Sequence, residues 1–94
     1  TAMPPAFLMQ QLEWREALDE ARGDPAALAE VRRTVNGERE ELLAAIGRAI
    51  DVNRDFARAA ALVRQLMFID RFASEVGRAD EEQRTDTRSG AAGH

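Results

Sequence analysis

Two runs of large apolar residues at three-and-four spacing, separated by only a few polar residues, constrain this chain more than any other feature. In the first they are Leu28, Val31, Val35, Leu42, Ile46 and Ala49; in the second Phe56, Ala59, Leu62, Val63, Leu66, Ile69, Ala73 and Val76. That period stacks side chains on one face of an α-helix, whereas a strand would alternate every second residue. The link between the runs, with Asp51, Asn53 and Asp55, is polar and rich in capping residues. Two long helices joined so briefly must lie antiparallel.

The boundaries of these helices are written in turn chemistry. Asp24 before Pro25 is a good N-cap followed by a residue pre-set for the first helical position. The second helix is therefore expected from Pro25 to about Ile50, roughly 39 Å at about 1.5 Å per residue. Gly37 and Gly47 are tolerated weak points in it, and Glu38 and Arg39 interrupt its stripe. The third helix is expected from Phe56 to about Glu82. Upstream, Pro4 and Pro5 suit an entry turn, and the run from Ala6 to Arg22 reads as a shorter helix stopped by Gly23. The expected fold is all-α: a three-helix bundle whose shorter first helix packs on a long antiparallel hairpin. Residues 1–83 form that domain, and the polar, Gly-rich stretch 84–94 is expected to be a disordered tail.

Composition agrees and removes several kinds of function. The chain has 94 residues, 45% hydrophobic and 32% charged, which fits one small domain with a thin core. All 13 basic residues are Arg, so no lysine is present for Schiff-base or phosphate-loop chemistry. The net charge is −4, and setting aside Arg84, Asp86 and Arg88 leaves −5 on the helical part. Nucleic acid and anionic membrane are poor partners for such a surface, and a basic partner is the better expectation. There is no Cys, hence no disulfide framework or thiolate site, which suits a reducing compartment. No apolar run approaches the roughly 20 residues of a membrane span, and no signal-peptide pattern is seen, so a soluble protein is expected. The single histidine, His94, is read as a chain end rather than a ligand or base. No catalytic constellation, resident metal or cofactor is expected; the carboxylates Asp80, Glu81 and Glu82 read as a solvated helix end.

The first helix carries more apolar residues than one core face needs. At about 100° per residue, Phe7, Gln11, Trp14, Leu18 and Ala21 share a narrow sector fit for the bundle interior. Leu8, Met9 and Leu12 fall on the opposite half, followed by Glu13, Glu16 and Glu20. Taken singly these are ordinary exposed residues. As a group, an apolar patch with a charged continuation marks a contact surface. On the third helix Met67 and Phe68 fall off the core stripe and could extend it, although Phe68 could equally touch the first helix. Glu16 and Glu20 repel each other at i,i+4 by a few tenths of a kcal/mol, which suits a site awaiting positive charge and equally a solvated face.

The run Phe7-Leu8-Met9-Gln10-Gln11-Leu12-Glu13-Trp14-Arg15-Glu16-Ala17-Leu18-Asp19-Glu20 resembles the opening of the C-terminal domain of HscB-type iron-sulfur co-chaperones, FLMEQLE-x-RE-x-LDE. Ala60, Val63, Arg64, Leu66, Phe68, Ile69 and Asp70 are similar to that family's A-x-x-VRKLRFLDKL segment. The middle helix matches in length and amphipathic pattern alone. The resemblance implies a three-helix domain that binds an IscU-type cluster scaffold, while an N-terminal J-domain engages a DnaK-type, HscA-like chaperone. The His-Pro-Asp signature of a J-domain is not in this sequence, so only the scaffold-binding part is represented, with chaperone contact expected through the missing J-domain. Carried over by position, the family's scaffold-contacting residues fall on Leu8, Met9, Leu12, Glu13, Glu16, Glu20 and Phe68. Departures occur at Gln10 for Glu, Trp14 for an aliphatic residue and Met67 for Arg. The shortened link at Gly23 to Pro25 bears on how the first helix is oriented. A cytoplasmic location is expected, in keeping with the absence of Cys.

Two other classes remain open at this stage. A small all-α enzyme such as a chorismate mutase would need converging basic side chains in a buried pocket, and the lack of Lys weighs against it. A homo-oligomer is the second: a self-associating helical module would bury Leu8, Met9 and Leu12 against its own copy.

Overall fold

The computed structural model describes the backbone of residues 3–92 and the side chains of residues 3–84. It contains α1 (Pro5–Ala21), α2 (Pro25–Asp51) and α3 (Phe56–Ala92). α1 opens on prolines, with Pro4 accepting from the Phe7 and Leu8 amides. It closes where Gly23 turns the chain at φ 88° and the Asp24 amide returns to Ala21 O at 2.9 Å. Asp24 caps α2 as its residue type requires, Oδ1 accepting from the Ala26 and Ala27 amides at 3.1 and 3.3 Å. The Gln83 carboxamide reaches the Gly23 and Asp24 amides, and with its oxygen toward them it would accept from both, which places α3 against the joint between the other two helices. At the far end Val52 and Asn53 donate to Arg48 O, Arg54 sits at φ 53°, and Asp55 caps α3 by accepting from the Arg58 amide at 3.0 Å.

Cross-links between helices fix the topology. Arg32 pairs with Asp80 and Arg39 with Asp70, so α2 and α3 run antiparallel. Phe7 meets Phe68, Trp14 meets Phe72 and Arg15 pairs with Glu75, so α1 runs parallel to α3. The α2–α3 contact is the most extensive, as expected of a hairpin with a shorter helix laid on it.

The core repeats every seven residues: Phe7, Trp14 and Ala21 in α1; Leu28, Val35, Leu42 and Ala49 in α2; Leu62, Ile69 and Val76 in α3. That is the period of a left-handed coiled-coil seam, which keeps long helices in contact along their length. Leu18, at 0% exposure, is the centre of the α1 contact. The interruption at Glu38 and Arg39 is not a packing defect, because Arg39 Nε donates to Asp70 Oδ1 at 2.6 Å across the seam.

Four expectations need correction. Phe56 and Val63, placed in the core stripe of the third helix, are 62% and 41% exposed. They fall about 100–120° round α3 from Leu62, outside the buried sector, whereas Ala59 and Leu62 at the same level are buried. Phe72, absent from the expected stripe, is buried against Trp14, because α1 widens the buried sector of α3 on its own side. Gln11, expected in the core sector, is half-buried, and its Nε2 finds no acceptor among the described residues. The helix expected to end near Glu82 is bounded at Ala92, since no proline stops it. The expected tail, residues 84–94, falls almost entirely on residues whose side chains are not described, and His94 lies outside the described residues altogether. With a radius of gyration of 16.6 Å, the molecule is far longer than the roughly 12 Å of a compact chain of this size.

Candidate functional site

α1 spends one face on the core and leaves the other free. Leu8, Met9 and Leu12 are 53%, 58% and 61% exposed. Glu13, Glu16 and Glu20 are exposed as well. Among the described residues no arginine comes within ion-pair distance of these three glutamates.

Helical spacing resolves this face into two rows. Leu8 and Leu12 are followed at the same spacing by Arg15, Asp19 and Arg22. Because Arg15 NH2 reaches Glu75 Oε2 of α3 at 2.9 Å, this row lies on the flank next to α3. Met9 is followed by Glu13, Glu16 and Glu20, a row that faces away from the bundle. Both rows begin apolar at the N-terminal end and diverge in sign further down, one mixed and arginine-bearing, the other acidic.

Phe68 borders the first row. Its ring makes an edge-type contact with Phe7 at 6.3 Å between centroids, and the Arg71 guanidinium lies over the Phe68 ring at 5.6 Å. It remains 44% exposed while touching the first helix through Phe7. Met67, one residue earlier and about 100° further round α3, is 59% exposed and stands between Arg64 and Arg71 at helical spacing. Of the two α3 residues expected to extend the patch, Phe68 touches α1 through Phe7 of its core face. What sequence reasoning missed on this side is the arginine series. Arg15, Arg22 and Arg78 line an open groove between α1 and α3 together with Glu75, Ala79 and Glu82. The seven-residue spacing of Arg64, Arg71 and Arg78 was the available signal.

Arginines therefore converge, but on an open groove interleaved with carboxylates rather than in a buried pocket. Among the described residues no polar or charged side chain is buried, and no cluster of three or more His, Asp or Glu side chains could hold a metal ion. No helix among the described residues is long and apolar enough to cross a membrane. What the face offers chemically is apolar area with charge at its edges, the make-up of a protein contact surface.

The comparisons with known proteins bear on the same region. A family model, the HSCB C-terminal oligomerisation domain, matches residues 3–77. Among curated proteins, the chain is 45% identical over 83 residues to the co-chaperone protein HscB homolog of Bordetella pertussis, covering 88% of this chain and 49% of that protein. It is 47% identical over 83 residues to the Burkholderia mallei homolog, covering 82% and 45%. To that of Aromatoleum aromaticum it is 41% identical over 87 residues, covering 90% and 49%. No solved structure matches. The chain spans about half the length of the curated relatives it matches. With its helical hairpin, its laid-on first helix and the family match across all three elements, this chain belongs to the HscB co-chaperone family, which it matches through that family's C-terminal domain.

Proposed function

We propose that this domain is a non-catalytic docking module of iron-sulfur cluster assembly. It holds an IscU-type scaffold protein on the outer face of α1, for delivery to a DnaK-type, HscA-like chaperone through the J-domain of the full-length co-chaperone, in the cytoplasm. The observation that carries this reading is the exposure of Leu8, Met9 and Leu12, 53–61%, on a helix whose opposite face already supplies Phe7, Trp14, Leu18 and Ala21 to the core. Such residues are not needed for folding and would fill an apolar depression on a partner.

Leu8, Met9, Leu12 and the exposed part of Phe68 would supply most of the affinity, each anchor being worth about 2 kcal/mol or more on truncation. Glu13, Glu16 and Glu20 would pair basic groups at the partner's rim and act chiefly on encounter rate and salt sensitivity. Titration of the labelled domain with the scaffold tests this: the amides of Leu8, Met9, Leu12 and Phe68 should shift. A Leu8→Ala, Met9→Ala, Leu12→Ala variant should lose the shifts at unchanged helicity; retained binding by that variant removes the site.

The description of the matched family model as an oligomerisation domain favours a second reading, self-association through the same face. Light scattering over a concentration series separates the two, since a dimer that buries Leu8, Met9 and Leu12 leaves nothing for a scaffold.

A further inference from the structure

The acidic row on α1 has a counterpart of opposite sign on α3. Arg64, Arg71 and Arg78 are exposed and seven residues apart. They stay on one helix face, drifting by only about 20° per step, and follow one another at about 10 Å along the axis. The row lies on the α1 side of the hairpin. Arg71 rests on the Phe68 ring, which meets Phe7, and Arg78 shares a groove with Arg15 and Arg22.

Of the carboxylates near this row, Glu75 and Asp19 are engaged, whereas Glu81 and Glu82, three and four residues beyond Arg78, are in no ion pair among the described residues. Glu75 is held by Arg15 at 2.9 Å, and Asp19 stands 3.6 Å from Arg22. Glu82 lines the groove at its far end. None of Arg64, Arg71 and Arg78 has a carboxylate within ion-pair distance among the described residues, in a chain whose net charge is −4. Elsewhere in the bundle Arg32 and Arg39 are paired across helices with Asp80 and Asp70. The unpaired row borders the apolar patch, with Phe68 at the boundary.

We infer that this arginine row receives an acidic stretch of the same protein partner that α1 holds, so that the docking face is bipolar, acidic on its outer flank and basic on its α3 flank. The inference rests on the reading of α1 as a docking face. A uniform polyanion such as nucleic acid satisfies one flank and is repelled by Glu13, Glu16 and Glu20 on the other. A folded protein surface carrying both signs around an apolar centre satisfies both. Guanidinium forks suit carboxylates because they can donate two parallel hydrogen bonds to each. Opposite signs on the two flanks also fix the orientation in which the partner seats, since a half-turn places like charges together.

The test follows scaffold association by stopped flow at low and high salt. Arg64→Glu, Arg71→Glu should slow association about tenfold at low salt, and the deficit should close at high salt as screening removes steering. Arg64→Gln, Arg71→Gln, with smaller slowing, guards against a fold defect, and circular dichroism checks both. A hexaglutamate peptide should shift the arginine Nε–H resonances of Arg64 and Arg71. Unchanged or faster association of both arginine variants, with binding still abolished by the triple alanine change in α1, overturns the inference and leaves the docking reading standing. Binding that survives the triple alanine change removes both. Tighter binding of a hexathymidylate than of hexaglutamate would assign the row to nucleic acid and overturn the inference.

Discussion

Leu12 and Leu18 are the same residue type six positions apart on one helix, at 61% and 0% exposure. Nothing in their side chains distinguishes them; the helical screw sets one against the hairpin and the other in solvent. Leu18→Ala should therefore lower stability by about 2–5 kcal/mol, the range for a buried Leu whose cavity cannot fully collapse. Leu12→Ala should stay within about 0.5 kcal/mol, as an exposed position does. Urea unfolding of both variants checks this, and a large loss at Leu12 would mean that α1 packs with its other face inward. The separation was legible from sequence because α1 has one neighbouring surface, so a period of 3.6 residues divides its side chains cleanly. It was not legible for α3, which packs on α2 as well as on α1. Periodicity alone placed Val63 inside and left Phe72 unassigned, since which flank of α3 is covered depends on where α1 lies.

At the scale of elements, the two turns solve one problem with different residues. Each needs one residue in the left-handed region to reverse the chain, and the first uses Gly23 at φ 88° while the second uses Arg54 at φ 53°. Left-handed backbone costs an L-residue roughly 1–2 kcal/mol, which glycine escapes and asparagine tolerates better than arginine. Gly23→Ala should thus lower stability by about 1 kcal/mol or more, and Arg54→Asn should raise it by a few tenths. In a domain of this size, about 1 kcal/mol moves the thermal midpoint by roughly 4–8 °C, so the first change is readily seen by circular dichroism. A Gly23→Ala variant of undiminished midpoint would show that the α1–α2 joint is not held in this conformation. Capping chemistry is why helix starts were readable: Asp24 and Pro25 announce α2, and Asp55 announces α3 by accepting from the Arg58 amide. The end of α3 was less readable because the apolar period stops near Glu82 while no proline follows to stop the helical backbone, which is bounded at Ala92.

For the whole molecule, the question is whether α1 is an integral part of the bundle or a separable arm, because the proposed docking face is borne on it. Its attachment consists of Phe7, Trp14, Leu18 and Ala21 in the shared core, the Trp14–Phe72 contact at 5.7 Å, the Arg15–Glu75 pair at 2.9 Å and the approach of Gln83 to the turn behind it. Arg15 also lies over Phe72 at 5.9 Å, so one residue serves both the ion pair and the aromatic contact. These anchors run the length of α1 and belong to the same core cluster as the hairpin, so α1 should not detach while the hairpin persists. The chain has one tryptophan, and Trp14, 8% exposed, sits in the middle of that contact. Its fluorescence therefore reports α1 docking, whereas far-ultraviolet ellipticity is dominated by the two longer helices. The two signals should give a single coincident thermal transition, and Phe72→Ala, which removes the main partner of Trp14, should shift both together. A fluorescence change that precedes the loss of helicity would show α1 leaving a surviving hairpin. A partner bound to α1 would then also have to hold that helix in place, and its apparent affinity would fall by the fraction of molecules in which α1 is undocked.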